Sequence, residues 1–362
     1  MNTKPPVTEP ALIQARPKFR NLRVEFPRSS KDEFSDKSGI KRAVVCIDNS
    51  MQGQALLRHT KAVADGLGLP LNIIHVMESA SSDHGPSDPI QWQIKYQEAK
   101  DHLLRIANEE NEDFTIHDHF ILNGIAGDEI SRWANEHDGS LMAMTSRCGV
   151  SSGTMRHGYL GDTAQKLLEA SNASLLLVPP DMSTSKSVRY KRLMVPLDGS
   201  QRAESVLPVA MRIARKHDAE LVLAHVVSEP EIVETGPHDK EAHDLMTHML
   251  RYNEQNAHAY LDRLQSRLNN GAVTIRTIVE NDGDPRERLI RLATAQDVDL
   301  ILISAHGRTG MPNACCGNIA RHLVTNTHIP MLMVRQQAGS KLDHPEISTD
   351  ALGRRIFSDW AH

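Results

Sequence analysis

The chain of 362 residues runs through one order of events twice, over roughly residues 41–180 and 191–335. Each stretch opens with a short apolar strand ending in an aspartate: Ala43-Val44-Val45-Cys46-Ile47-Asp48, then Leu193-Met194-Val195-Pro196-Leu197-Asp198. A second apolar strand follows with a His-Val pair, His75-Val76 and His225-Val226. Both landmarks are displaced by 150 residues (198 − 48 and 225 − 75). Near the end of each stretch come a glycine, a short helical pattern and a last strand, Gly161 to Val178 and Gly317 to Val334, displaced by 156 (317 − 161). Order and spacing survive while most side chains differ, which is the mark of one supersecondary plan used twice in tandem.

Within the second stretch, residues 192–197, 221–227, 273–279, 300–303 and 329–334 read as strands. Between them lie helical patterns: one starting at Ser200 or Gln201 with Val206, Leu207, Ala210, Ile213 and Ala214 on its apolar face, then 241–268, 285–295 and 318–325. The first stretch places strands near 43–48, 71–77, 114–122, 141–145 and 174–178. Continuous apolar strands separated by helices predict parallel sheets covered on both faces. The expected fold is therefore α/β: two Rossmann-like, doubly wound, five-stranded parallel sheets with helices on both faces, in tandem. Residues 1–40 and 336–362 mix Pro, Ser and charged residues with little periodicity and are expected to be mobile tails, apart from the cluster Ile356-Phe357 and Trp360. A short polar linker, 181–190, joins domain 41–180 to domain 191–335.

A net charge of −5 supplies no broad basic field, which argues against nucleic acid as a partner. No apolar run reaches the roughly 18 residues that a membrane helix needs. Pro5, Pro6 and Glu9 interrupt the segment where a signal peptide carries its apolar core, so the cytoplasm is the expected location and no membrane is expected as a partner. Cys46, Cys148, Cys315 and Cys316 show no CxxC spacing and suggest no disulfide framework. The adjacent pair Cys315-Cys316 makes a strained disulfide and too small a ligand set, and reads as small buried hydrophobes. The nineteen histidines contain no HExxH, so no metal site is expected; His75 and His225, inside apolar strands, read as hydrogen-bonded core residues.

In open α/β sheets, ligands bind beyond the carboxyl ends of the strands. That rule directs attention to Asp198, to Val226-Val227, and to the loop from Ser304 to Asn318, which runs into a helix. Glycines let backbone N–H groups approach an anion, and a helix N-terminus adds about half a positive charge. By residue type alone the loop fits a phosphate cradle or an ordinary tight turn. Asp48 and Asp198 likewise fit either a ligand contact or a cap on the following helix.

Three segments together resemble universal stress proteins: His306-Gly307-Arg308-Thr309-Gly310, Val195-Pro196-Leu197-Asp198-Gly199-Ser200, and the closing Ile329-Pro330-Met331-Leu332-Met333-Val334-Arg335. The two copies resemble the tandem form of that family. The resemblance implies a Rossmann-like domain, pairing of the two domains through their last strands, and nucleotide-dependent regulation rather than a general enzymatic reaction. In ATP-binding members it implies a loop G-x2-G-x9-G followed by Ser or Thr. Carried over, Asp198 holds the ribose, Pro196 and Val226 line the adenine side, Gly307, Gly317 and Asn318 face the phosphates, and Arg308 adds charge. Ser304 stands where the first glycine belongs and Asn318 where the Ser or Thr belongs, although an asparagine amide still donates to phosphate. The first copy keeps Asp48 and Val76, with Gly149 and Gly161 as its loop glycines, but has Ser146 at the first position and an anion, Asp162, after Gly161. Like charges in a site with little water repel strongly, so this copy is read as degenerate.

The resulting expectation is a non-catalytic protein that binds or senses ATP or another adenine nucleotide, with Mg accompanying it, mainly through the second copy. Its partners are then the nucleotide, its own two domains as a pseudo-dimer, and an unidentified protein, with a further homodimer left open. Two alternatives compete: a ligand-free dimerisation scaffold, and a weak ATP hydrolase. Against the hydrolase stands the lack of an SGGxDS-type pyrophosphatase loop.

Overall fold

A computed structural model describes residues 22–24, 39–48, 53–78, 89–109, 116–146, 160–182, 187–228, 240–269, 271–281, 283–307 and 316–335. The first unit contains β2 (Arg42–Ile47), α1 (Gly53–Leu67), β3 (Leu71–Glu78), α2 (Pro89–Glu109), β4 (Ile116–Gly124), α3 (Ala126–Glu136), β5 (Ser140–Thr145), α4 (Asp162–Ala170) and β6 (Ser174–Val178). The second contains β7 (Arg192–Pro196), α5 (Gln201–Glu204), α6 (Leu207–His217), β8 (Glu220–Val227), α7 (Lys240–Leu268), β9 (Ile275–Asn281), α8 (Pro285–Ala295), β10 (Leu300–Ser304), α9 (Asn318–Asn326) and β11 (Met331–Val334). Within each unit the five strands run parallel. Two local expectations shift. The helix read as continuous from Ser200 breaks at Ser205-Val206, because Pro208 in the first turn of α6 suits a helix start and not an interior. The stretch read as an N-terminal tail contributes a strand, β1 (Leu22–Val24), which pairs antiparallel with β4 at Leu22↔Ile121, Arg23↔Phe120 and Val24↔His119.

The two units form one sheet, ordered β1-β4-β3-β2-β5-β6-β11-β10-β7-β8-β9. The seam is antiparallel, between last strands, with Leu175↔Met333, Leu176↔Leu332 and Leu177↔Met331. Since each unit is internally parallel, the strands of one unit end at the sheet edge opposite to those of the other. Alternate residues of the seam feed two hydrophobic clusters, one on each face. Leu176, Val178, Leu332 and Val334 join α1, α2, α6 and α7 through residues such as Leu57, Leu103, Val209 and Leu261. Leu175, Leu177, Met331 and Met333 join α3, α4, α8 and α9 through Trp133, Leu167, Leu292 and Leu323.

A polar network bridges the units where α1 packs on α6. The Tyr190 N–H donates to Nδ1 of His217 at 3.3 Å, which assigns the ring proton to Nε2, and Nε2–H donates to the Ala62 carbonyl at 3.0 Å. The Arg212 guanidinium donates to the Leu67 carbonyl. A side chain at Gly66 would press on the Ile213 backbone, with Cβ 3.2 Å from its Cα. His59 Nδ1 and the Tyr190 hydroxyl share a hydrogen bond of 3.0 Å, and both residues are buried. Burial lowers the His59 pKa from 6.5 to about 4, with the Asp299 carboxylate opposing the shift. A ring held below its ordinary value binds protons first in the unfolded chain, so His59 contributes fully above pH 6.5 and loses that contribution as pH falls toward 4. Equilibrium denaturation across that interval is expected to show a fall to which His59 adds about 3 kcal/mol. In His59→Gln the fall is expected to be shallower by that order, while His75, His119 and His225, also held low by burial, keep their share.

Candidate functional site

The second unit's site is built on the turn after β7. The Leu197 N–H donates to the Ala224 carbonyl at 2.8 Å and keeps the chain against β8. Gly199 then takes a left-handed φ of 79°, where a side chain would be strained. This turn lets Asp198 Oδ1 accept from both the Ser200 N–H, at 3.0 Å, and the Ser200 hydroxyl, at 2.6 Å. Ser200 in turn caps α5, its Oγ accepting from the Ala203 N–H at 3.1 Å. Capping is therefore the serine's role, and Asp198 holds the cap in place. The other carboxylate oxygen faces Gly307, where a Cβ would overlap Asp198 Oδ2. Only glycine fits there while the carboxylate remains tied to Ser200.

Beyond β10 the Ala305 N–H donates to the Val334 carbonyl at 3.0 Å, and the Gly317 N–H donates to the Ala305 carbonyl at 2.7 Å. These bonds close the base of the loop and bring the first turn of α9 to the cavity that Asp198 lines. Gly317 is the N-cap of α9 and has no side chain with which to satisfy that turn, and Asn318 is its first residue. The turn carries the positive end of the helix dipole. Pro196, Asp198, Val226, Ser304, Gly307, Gly317 and Asn318 line one cavity of about 980 Å³. Arg308 lies outside the described residues. His225 is also at the wall, with its Nδ1–H donating to the Leu197 carbonyl at 2.8 Å, and burial lowers its pKa. His75 makes the same bond to the Ile47 carbonyl at 2.9 Å. Both are hydrogen-bonded as expected, but only His75 is buried, whereas His225 is partly exposed at the cavity wall.

The first unit has its own cavity of about 890 Å³, which brings together Asp48, Val76 and Gly161 with Cys46, His75, Thr145 and Thr163. The Cys46 thiol is pushed up to about 12 by burial, so it stays protonated. Two expectations are corrected here. Asp162 is exposed and outside the lining, whereas Thr163 faces the cavity. As the first residue of α4, its carboxylate lies at the favourable end of the helix dipole. The loop alignment also moves by one residue. The Ser146 N–H donates to the Val178 carbonyl and the Gly161 N–H to the Ser146 carbonyl, each at 2.9 Å, matching the two bonds of Ala305. Ser146 therefore corresponds to Ala305, and Thr145 to Ser304. Gly149 lies outside the described residues.

Sequence reasoning missed a second wall. Asn253, Asn256, Ala257, Ala259, Tyr260 and Arg263 of α7 line the second cavity, and Lys95, Glu98, Ala99, His102 and Arg105 of α2 line the first with the same spacing apart from Ala259. The helical period was there to be read, but loops of unequal length offset the two helices from the strands around them. Among the described residues no group of three or more His, Cys, Asp or Glu side chains is placed to hold a metal ion, and no helix is long and apolar enough to cross a membrane.

The architecture is thus two α/β units sharing one sheet, with a cavity at the strand ends of each. The model of the universal stress protein family matches residues 39–179 and 189–335, and the chain belongs to that family. Universal stress protein MJ0531 of Methanocaldococcus jannaschii is 27% identical over 147 residues, covering 41% of this chain and 83% of that protein. Universal stress protein MJ0577 of the same organism is 22% identical over 160 residues, covering 42% of this chain and 98% of its own length. In fold, the crystal structure of a universal stress protein from Archaeoglobus fulgidus covers 83% of this chain and 100% of its own, at 17% identity and a TM-score of 0.54.

The Gly307 contact gives a direct test of this geometry. Gly307→Ala is expected to cost about 1–3 kcal/mol by overpacking. The penalty should largely vanish in an Asp198→Ala background, because the atom it meets is gone; a double-mutant cycle by urea denaturation measures that coupling.

Proposed function

We propose that this chain is a non-catalytic adenine-nucleotide-binding protein of the cytoplasm, sensing ATP mainly through the second unit. One observation carries the reading: a carboxylate fixed by two hydrogen bonds and a helix N-terminus without a side-chain cap flank one cavity, with Gly307 where a side chain would meet the carboxylate. The carboxylate suits ribose hydroxyls, and the N–H groups of the α9 first turn suit phosphate oxygens. The Asn318 amide adds a donor beside them. Pro196 and Val226 supply apolar contact for a base. Mg accompanies the phosphates as part of the ligand. His225 donates from Nδ1 to the Leu197 carbonyl at the cavity wall, and burial lowers its pKa. Occupancy of the cavity is the signal read by a protein partner.

The first unit plays the lesser part, with Asp48, Val76 and Gly161 at its cavity but a loop of different length. The antiparallel seam between β6 and β11 makes the two units a built-in pseudo-dimer. Isothermal titration of the full chain with ATP and Mg tests the reading. The expected outcome is saturable binding near one nucleotide per chain, weakened roughly tenfold in Asn318→Ala, in line with the loss of a hydrogen bond to a charged group. Absence of saturable heat at millimolar nucleotide overturns it in favour of a ligand-free scaffold.

A further inference from the structure

The glycine loop accounts for one side of the second cavity, and the opposite side belongs to α7. Residues 253, 256, 260 and 263 recur at helical spacing on one face of this helix. Tyr260 is the aromatic member of that face and is only partly buried. Its hydroxyl donates to Glu204 Oε1 at 3.2 Å, and Glu204 Oε2 is paired with Arg267 Nη2 at 2.5 Å. Its ring meets His225 edge-on, with centroids 6.3 Å apart and planes at 68°. His225 is itself held by the Leu197 carbonyl. Tyr260 is thus tethered at its hydroxyl and abutted at its ring, beside Pro196 and Val226 in the same lining. An aromatic ring held at its hydroxyl and contacted at one side, at the wall of a cavity, presents a π-surface with less ordering left to do on binding.

The first unit shows what the position controls. Strand-end residues persist there as Asp48, His75 and Val76, and the helix wall keeps Ala99 and Arg105 opposite Ala257 and Arg263. The remaining three positions change: His102 replaces Tyr260, and Lys95 and Glu98 replace Asn253 and Asn256. The broad neutral ring is therefore particular to the unit whose loop better suits phosphate.

We infer that Tyr260 is a ligand-positioning residue whose ring stacks on the planar base of the nucleotide in the second cavity, giving that unit its preference for base-bearing ligands. This rests on the nucleotide reading above and adds the residue that selects the base. The test is titration of the full-length protein with ATP and Mg in the wild type, Tyr260→Phe and Tyr260→Leu, each first checked for native circular dichroism. Phenylalanine keeps the ring, whereas leucine fills much of the same volume without a π-face. The expected result is Tyr260→Phe within about twofold of wild type and Tyr260→Leu weaker by about tenfold or more, the scale of base–aromatic stacking. Wild-type binding with Tyr260→Leu also within twofold overturns the stack alone. Equal losses in both variants overturn it too, by assigning the effect to the Glu204 tether. No binding by the wild type overturns the nucleotide reading and the stack together. A second readout uses Tyr260→Trp: ATP should quench the new fluorescence above the background of Trp92, Trp133 and Trp360, while inorganic tripolyphosphate should not.

Discussion

The antiparallel seam between Leu175–Leu177 and Met331–Met333 is the constraint on which the rest of this protein depends. Both strands are buried along their whole length. Left unpaired, either would expose an apolar edge ready to recruit another chain. Because the seam reverses direction between two internally parallel sheets, the strand ends of the two units point to opposite edges. The two cavities follow, since each sits at the carboxyl ends of its own strands. They are separate sites, and what joins them is the shared core on each face together with the polar bridge of Tyr190, His217 and Ala62.

A second relation recurs at smaller scale. In each unit a strand-borne histidine donates from Nδ1 to the carbonyl just before the aspartate, from His75 to Ile47 and from His225 to Leu197. The bond ties the end of one strand to the next, so the aspartate that follows leaves the sheet from a fixed point. In the second unit, Ser200 then clamps the carboxylate and Gly307 makes room for it. The site geometry is thus an extension of sheet geometry, and little of it depends on the mobility of individual side chains.

Much of this was legible from residue order. Five apolar strands per unit, the helices between them and the aspartates at strand ends follow from period and turn chemistry, which act over a few residues. The break before α6 was missed, although Pro208 marks it. Other features escaped because they depend on contacts distant in sequence. Short, charged Leu22–Val24 became a strand only because the edge of β4 was there to pair with it. Asp162 looked like an anion inside a site, yet it lies on the outer side of its helix turn. Matching motifs by sight set Ser146 against Ser304, whereas the backbone bonds show that Ser146 corresponds to Ala305.

Sequence alone determined that this chain is two copies of one α/β plan, with an aspartate and a histidine kept at each strand end and a glycine-rich loop better suited to phosphate in the second copy. Those are matters of local pattern, and local pattern survives in a string of letters. Tertiary structure alone decided that the cavities lie at opposite edges, that Gly307 is glycine because Asp198 lies against it, and that α2 and α7 supply a second wall in which His102 and Tyr260 differ. The reason is physical: each depends on which distant segments the folded sheet brings within contact, and no spacing along the chain records that.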